Sequence, residues 1–254
     1  MSNFNSKFVI ATVLTLSLSG CVTVNAKSLD FKEIKNLNLS AKKLTQLNID
    51  AAAGYLKIIG DDSISDIQVT ANIEAYNDDF KLSLKSKGGY AELVADANPD
   101  NHINWGSNNA KIDLIVRLPS NMRLKVKDGS GEITIHQIKN DVEIDDGSGS
   151  MKITDIQGNL KIDDGSGSMV INQVSGDIKI DDGSGSMNIE KVGGTLNIED
   201  GSGNMDITDV FGLVTIDDGS GDINLKTLHN GLTIIEEGSG DLKMSDIKGP
   251  VSMK

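Results

Sequence analysis

The chain has 254 residues, with 37 acidic against 24 basic side chains for a net charge of −13, 38% hydrophobic residues, 4% aromatics and one cysteine. That charge disfavours nucleic acid and anionic lipid headgroups as partners, and so few rings argue against stacking platforms for sugars or bases. A lone cysteine excludes an intramolecular disulfide, while the apolar content is enough for a sizeable core.

The first 21 residues read as an export signal. Lys7 precedes an apolar stretch from Phe8 to Leu18, too short to span a bilayer, which ends in Leu18-Ser19-Gly20-Cys21. These four residues resemble the lipobox of bacterial lipoproteins, in which the cysteine thiol is acylated and becomes the first residue of the mature chain. The resemblance makes residues 1–20 a signal peptide and Cys21 the lipid attachment site. By resemblance to enteric sorting rules, Val22 after the cysteine favours the outer membrane. Loss of residues 1–20 removes one lysine and no acid, leaving 23 basic and 37 acidic residues and a net charge of −14. Residues 21–30 read as a tether.

From Leu37 the pattern becomes strand-like. Leu47-Asn48-Ile49-Asp50, Leu56-Lys57-Ile58-Ile59 and Ile67-Gln68-Val69-Thr70 alternate apolar and polar residues between Gly, Asp and Ser clusters. Residues 31–121 are read as irregular early coils, interrupted by a polar loop over residues 97–109.

Residues 122–254 carry a repeat. Asp-Gly-Ser-Gly begins at Asp128, Asp146, Asp164, Asp182, Asp200 and Asp218, 18 residues apart, and Glu237-Gly238-Ser239-Gly240 follows after 19. A fixed short period marks units that bury their apolar faces only by stacking on one another. Each unit splits into two nine-residue halves, each a short strand and a turn. Period-2 alternation sends Met151, Ile153, Leu160 and Ile162 inward and Lys152 and Lys161 outward, with Ile156 a third inward residue after a bend. A left-handed hexapeptide helix needs an aliphatic residue every six positions, but the steps from Ile144 are Ser150, Ile156, Ile162 and Ser168. Parallel crossovers are right-handed by default. The expected fold is therefore all-β: a right-handed parallel β-solenoid with 18-residue coils and two short strands per coil.

Glycine suits the repeated turn because the chain reverses where coils crowd, and the Asp before it can accept from backbone N–H groups two residues on. The unbroken column Ser130, Ser148, Ser166, Ser184, Ser202, Ser220 and Ser239 suggests a hydroxyl ladder at an inward corner. The acidic pairs Asp145/Asp146, Asp163/Asp164, Asp181/Asp182, Glu199/Asp200, Asp217/Asp218 and Glu236/Glu237 bring like charges onto adjacent coils, which calcium could relieve. Calcium-binding nonapeptide repeats place acids at both turns, however, and here Val174-Ser175-Gly176 and Val210-Phe211-Gly212 have none. The preferred assignment is a structural turn, with no metal ligands and no cofactor.

His102, His136 and His229 are dispersed and form no catalytic motif. Asp100, His102 and Trp105 could line a site in the polar loop, but a loop packed over the solenoid end is the simpler reading. The segments Leu118-Pro119-Ser120-Asn121-Met122-Arg123-Leu124-Lys125-Val126, Gly176-Asp177-Ile178-Lys179-Ile180, Ser220-Gly221-Asp222-Ile223 and Ser239-Gly240-Asp241-Leu242 resemble a bacterial putative-adhesin family of unknown function, built from Ser-Gly-Asp/Asn repeats and often exported or membrane anchored. The resemblance covers residues 40–254 and supplies no catalytic residues. It implies a lipid-anchored cell-envelope solenoid that is a non-catalytic scaffold or adhesin-like surface. The alternatives are a calcium-dependent adhesin using the Asp ladder and, third, a carbohydrate-active β-helix enzyme. Expected partners are the membrane, through the lipid on Cys21, and an envelope protein or glycan; a monomer is expected.

Overall fold

A computed structural model describes residues 29–99 and 110–254. The alternating sequence forms β1 (Phe31–Ser40), β2 (Gln46–Ala51), β3 (Leu56–Gly60), β4 (Asp66–Ala75), β5 (Lys81–Lys87), β6 (Tyr90–Asp96), β7 (Lys111–Leu118) and β8 (Arg123–Asp128). The repeat then supplies β9 (Ile133–Ile138), β10 (Val142–Asp146), β11 (Met151–Ile156), β12 (Leu160–Asp164), β13 (Met169–Val174), β14 (Ile178–Asp182), β15 (Met187–Val192), β16 (Leu196–Asp200), β17 (Met205–Val210), β18 (Val214–Asp218), β19 (Ile223–Leu228), β20 (Leu232–Glu236), β21 (Leu242–Ile247) and β22 (Val251–Met253). From β8 onward the even strands form one parallel array and the odd strands the other, each coil passing from an even strand through Gly-Ser-Gly to an odd one. The chain is a β-solenoid of stacked 18-residue coils.

Register is strict because the period is strict. Met151 pairs with Met169, Ile153 with Ile171 and Ile156 with Val174, while Leu160 pairs with Ile178 and Ile162 with Ile180. All five inward columns are buried. Three inward residues fit on a six-residue strand because Asp155 steps out of the ladder with φ 57°, and Gln173, Lys191 and Asp209 repeat this at φ 59°, 60° and 61°. This bulge turns Ile156 back inward and supplies the expected bend. The 19-residue spacing of the last repeat has the same kind of cause. Ile216 pairs with Ile234 but Asp217 with Glu236, so Ile235 is the inserted residue and is exposed.

The strands before β8 stack out of sequence order. Strand β2 lies between β6 and β8, and β3 between β7 and β9, all parallel. Beyond them the pairing reverses: β1 runs antiparallel to β4, β4 to β7, and β5 to β6. Phe31 of β1 and Phe80 just before β5 pack with ring centroids 5.5 Å apart, and the Lys35 ammonium lies 4.7 Å from the Phe80 centroid. Antiparallel strands thus close over the N-terminal end of the parallel stack.

Candidate functional site

The repeated turn divides each acidic pair between two environments. On β12, Leu160 and Ile162 point inward and Lys161 and Asp163 outward, so period 2 carries Asp164 into the interior. The same holds for Asp128, Asp146, Asp182, Asp200 and Asp218, which are only 1–6% exposed, while Asp145, Asp163, Asp181 and Glu199 lie in water on the other face. The inward corner therefore belongs to the carboxylates. The serine column expected there is only half-buried in its six regular members, and Ser239 is exposed.

Three rungs show the expected short turn bond, with the Ser166, Ser202 and Ser220 N–H groups each donating to an Asp oxygen two residues earlier at 3.2 Å. Both oxygens of Asp128, Asp146 and Asp182, and one oxygen of Asp164, Asp200 and Asp218, lack any hydrogen-bond partner. Burial pushes these acids up: Asp128 to about 7 and Asp146, Asp164, Asp182 and Asp200 to about 6, with the next coil's carboxylate adding to the rise in each case. Asp218 is raised by burial first and then by Asp217 beside it, while its bond from the Ser220 N–H opposes the shift.

The two members of an acidic pair face opposite sides of the sheet and cannot converge on one ion. Among the described residues no three His, Cys, Asp or Glu side chains are placed to hold a metal. The calcium arrangement drawn from the sequence lacks this geometric support.

The even strands carry an outward trough of about 550 Å³, bordered by Arg123, Lys125, Glu143, Lys161, Asp177 and Lys179. Lys125 pairs with Glu143 at 3.2 Å, Lys161 reaches the same carboxylate at 3.7 Å and Lys179 reaches Glu199 at 3.8 Å. Its border at the plain turn is held by a side-chain ladder: Asp141 accepts from the Asn159 N–H, Asn159 from Asp177, and Asp177 from Thr195, at 3.0, 2.9 and 2.7 Å. On the 18-residue ruler the row thus reads Lys125, Glu143, Lys161 and Lys179, beside acceptors already engaged with backbone.

A second hollow sits where the early strands meet the repeat. Arg117 pairs with Asp61 at 2.6 Å, Lys139 with Asp62 at 2.5 Å, and the Ser120 hydroxyl donates to Asp62. Hydrogen bonds from Ser63 and Arg117 hold the Asp61 carboxyl down at about 2. Sequence reading missed this cluster. Its only local sign is the Leu118-Pro119-Ser120 segment, and the pairings span 56 and 77 positions.

Of the histidines, His136 lies beside the Gln137 amide, whereas His229 stacks on Phe211 at 4.3 Å and contacts Asp209 at 3.0 Å. Cys21, residues 1–28, Asp100, His102 and Trp105 lie outside the described residues.

Among solved structures the chain is similar to a "putative cell adhesion protein" from Clostridium sporogenes, at 12% identity and a TM-score of 0.44, covering 88% of this chain and 100% of that one. It is also similar to a "putative lipid binding protein" from Parabacteroides distasonis, at 13% identity and 0.47, covering 89% and 98%. A "putative adhesin" from Parabacteroides merdae matches at 12% and 0.34, covering 87% and 96%. No curated protein matches the chain. The family model Toastrack DUF4097 matches residues 77–231, which take in the repeated turns from Asp128 to Asp218, both salt-bridged arginines and the outward trough, and the chain belongs to that family.

Proposed function

We propose that the mature protein is exported, anchored through a lipid on Cys21, and works as a non-catalytic interaction surface of the cell envelope, with the trough on the even strands as its recognition face. The observation that carries this reading is the trough itself. It is a shallow polar channel of about 550 Å³ in which Lys125, Lys161 and Lys179 stand in fixed register on paired strands. The rigid sheet spaces these three lysines at fixed intervals, with Glu143 between the first two, which suits an extended polar partner bearing acceptors, such as an acidic envelope glycan or a protein edge. The lipobox supplies the location and the solenoid the standoff from the membrane.

The test has two arms. Cys21→Ala should lose incorporated fatty acid and sediment away from membranes in high salt; retention of both overturns the anchor. Replacing Lys161 and Lys179 by Gln should abolish cross-linking of the intact lipoprotein to its envelope partners while leaving the melting temperature within a few degrees, since exposed ion pairs contribute little. Unchanged cross-links in that folded variant exclude the trough.

A further inference from the structure

The inward aspartates are the one set of groups whose placement the interaction reading does not use. Six carboxyl side chains line a column inside an otherwise apolar core, 94–99% buried, each in register with the next. Parallel strands set adjacent rungs about 4.8 Å apart. In that spacing carboxylates repel one another, and burial removes the water that would screen them. Nine of their twelve oxygens have no hydrogen-bond partner.

The charges around the column offer no relief. On the opposite face of the same strands the residues next to these rungs are Asp145, Asp163, Asp181, Glu199 and Asp217, with Lys127 beside Asp128; Lys125, Lys161 and Lys179 stand three positions before their rungs on that outward face, where they are engaged by Glu143 and Glu199. Across the coil the inward residues that open the odd strands are Ile133, Met151, Met169, Met187, Met205 and Ile223, none of them titratable. Beyond the first rung the register continues to Ala51, with Asp50 outward; beyond the last it reaches the exposed Glu236 and Glu237.

We propose that Asp128, Asp146, Asp164, Asp182, Asp200 and Asp218 form a proton-storing ladder inside the solenoid, which fills from solvent on acidification and tightens the stack, and empties on alkalinisation and loosens it. Each filling step is the addition of one solvent proton to a carboxylate oxygen. The resulting O–H becomes a donor toward the carboxylate of the next coil, so a proton on one rung of a neighbouring pair replaces their repulsion with an attraction. The upward direction found for all six acids agrees with this geometry.

The sign follows from linkage. In the unfolded chain these groups keep the ordinary Asp value near 3.9, whereas in the fold they hold protons to higher pH, so the folded state binds more protons between the two values. Stability from this source is complete below about pH 4 and declines as pH rises through about 6–7. Acid groups paired with cations give the opposite trend.

Thermal unfolding of the purified full chain from about pH 5 to about pH 8.5 tests the proposal. The melting temperature should fall steadily across that range, and proton uptake on refolding at about pH 5.5, read by calorimetry in buffers of different ionisation heat, should exceed two per chain. Asp164→Asn with Asp182→Asn should melt higher than wild type at the alkaline end and show a shallower slope. Asp163→Asn with Asp181→Asn, which removes the same charge from the outward face, takes away only a lesser cause of the upward shift and should flatten the slope between about pH 6 and 7 far less than the inward pair does. A melting temperature that is flat or rising with pH, or equal flattening by both double variants, overturns the ladder. If the inward variant does not fold, infrared spectroscopy of wild type decides: a protonated carboxyl band at about pH 5.5 that vanishes at the alkaline end supports it, and no band refutes it. Calcium chloride in place of EDTA should not move the melt, and a calcium shift lost in the inward variant would assign the column to a cation instead.

Discussion

The turn glycines make the closest approach between coils, and Gly185→Ala measures what that approach is worth. A Cβ at Gly185 would lie 1.6 Å from the Gly167 carbonyl oxygen and 2.6 Å from its carbon. Ordinary carbon–oxygen contact is more than 3 Å, so the two coils must part by about 1.5 Å. Here they are joined by Gly167 N–H to Ser184 O and Met169 N–H to Ser186 O, both 2.9 Å. Parting stretches both beyond hydrogen-bonding range; Gly167 and Ser184 are half-buried and Ser186 is exposed, so each lost bond costs about 0.5–1.5 kcal/mol. The φ of 154° at Gly185 adds about 1 kcal/mol for a residue with a Cβ. The total is about 2–4 kcal/mol, or a melting temperature lower by about 4–16 °C for a domain of this size. Gly88→Ala is the internal control: it also has positive φ, 54°, but nothing lies within 4 Å of its Cβ. It should cost only about 1 kcal/mol, a few degrees. Circular dichroism melts of the two variants decide, and an equal fall in both would refute the claim that intercoil contact, instead of backbone conformation, fixes these glycines.

Deleting residues 167–184 removes one full coil and joins Ser166 to Gly185, which holds the same place as Gly167 in the register, so a cooperative melt should survive. Deleting only residues 167–175 sets a plain turn where a Gly-Ser-Gly turn belongs, and loss of the cooperative melt is expected. Gln173→Gly should raise the melting temperature by a few degrees, because its φ of 59° costs a side chain up to about 1 kcal/mol that glycine does not incur. A lower melting temperature would mean that the Gln173 side chain contributes more than its backbone strain removes.

The regular stack was legible because two periods reinforce each other. Eighteen residues set the rungs and two set the faces, so Met151, Ile153, Leu160 and Ile162 could be pointed inward from sequence alone, and the bend before Ile156 was forced by its apolar side chain. The early strands had no such ruler. The segments around Leu47, Leu56 and Ile67 read as strands and are β2, β3 and β4, yet nothing local shows that β2 and β3 insert between later strands or that β4 runs antiparallel to β7. Those choices depend on partners tens of residues away, as do the Asp61–Arg117 and Asp62–Lys139 pairs. The inward aspartates fail differently. Strict alternation over Val142, Glu143, Ile144, Asp145 and Asp146 already sends Asp146 inside, and only the rule that charge belongs in water argued against it.

The same turn built without the acid shows that the column is not needed to make the bend. In β2 the rung in register with Asp128 is Ala51, and the one beyond it is Ala95. The chain then turns through Ala52-Ala53-Gly54 into β3, with Gly54 at φ 124° and its N–H donating to the Ser130 carbonyl at 3.1 Å, the bond that Gly131 makes to Ser148 one coil on. A final glycine and a backbone ladder therefore suffice to close the coil. A buried, unpaired carboxyl in place of alanine costs stability wherever it must be ionised. Six such rungs in succession replace an inert column with one whose energy depends on proton supply, and their restriction to the coils from Asp128 to Asp218 places that dependence in the regular part of the rod and not in its antiparallel cap.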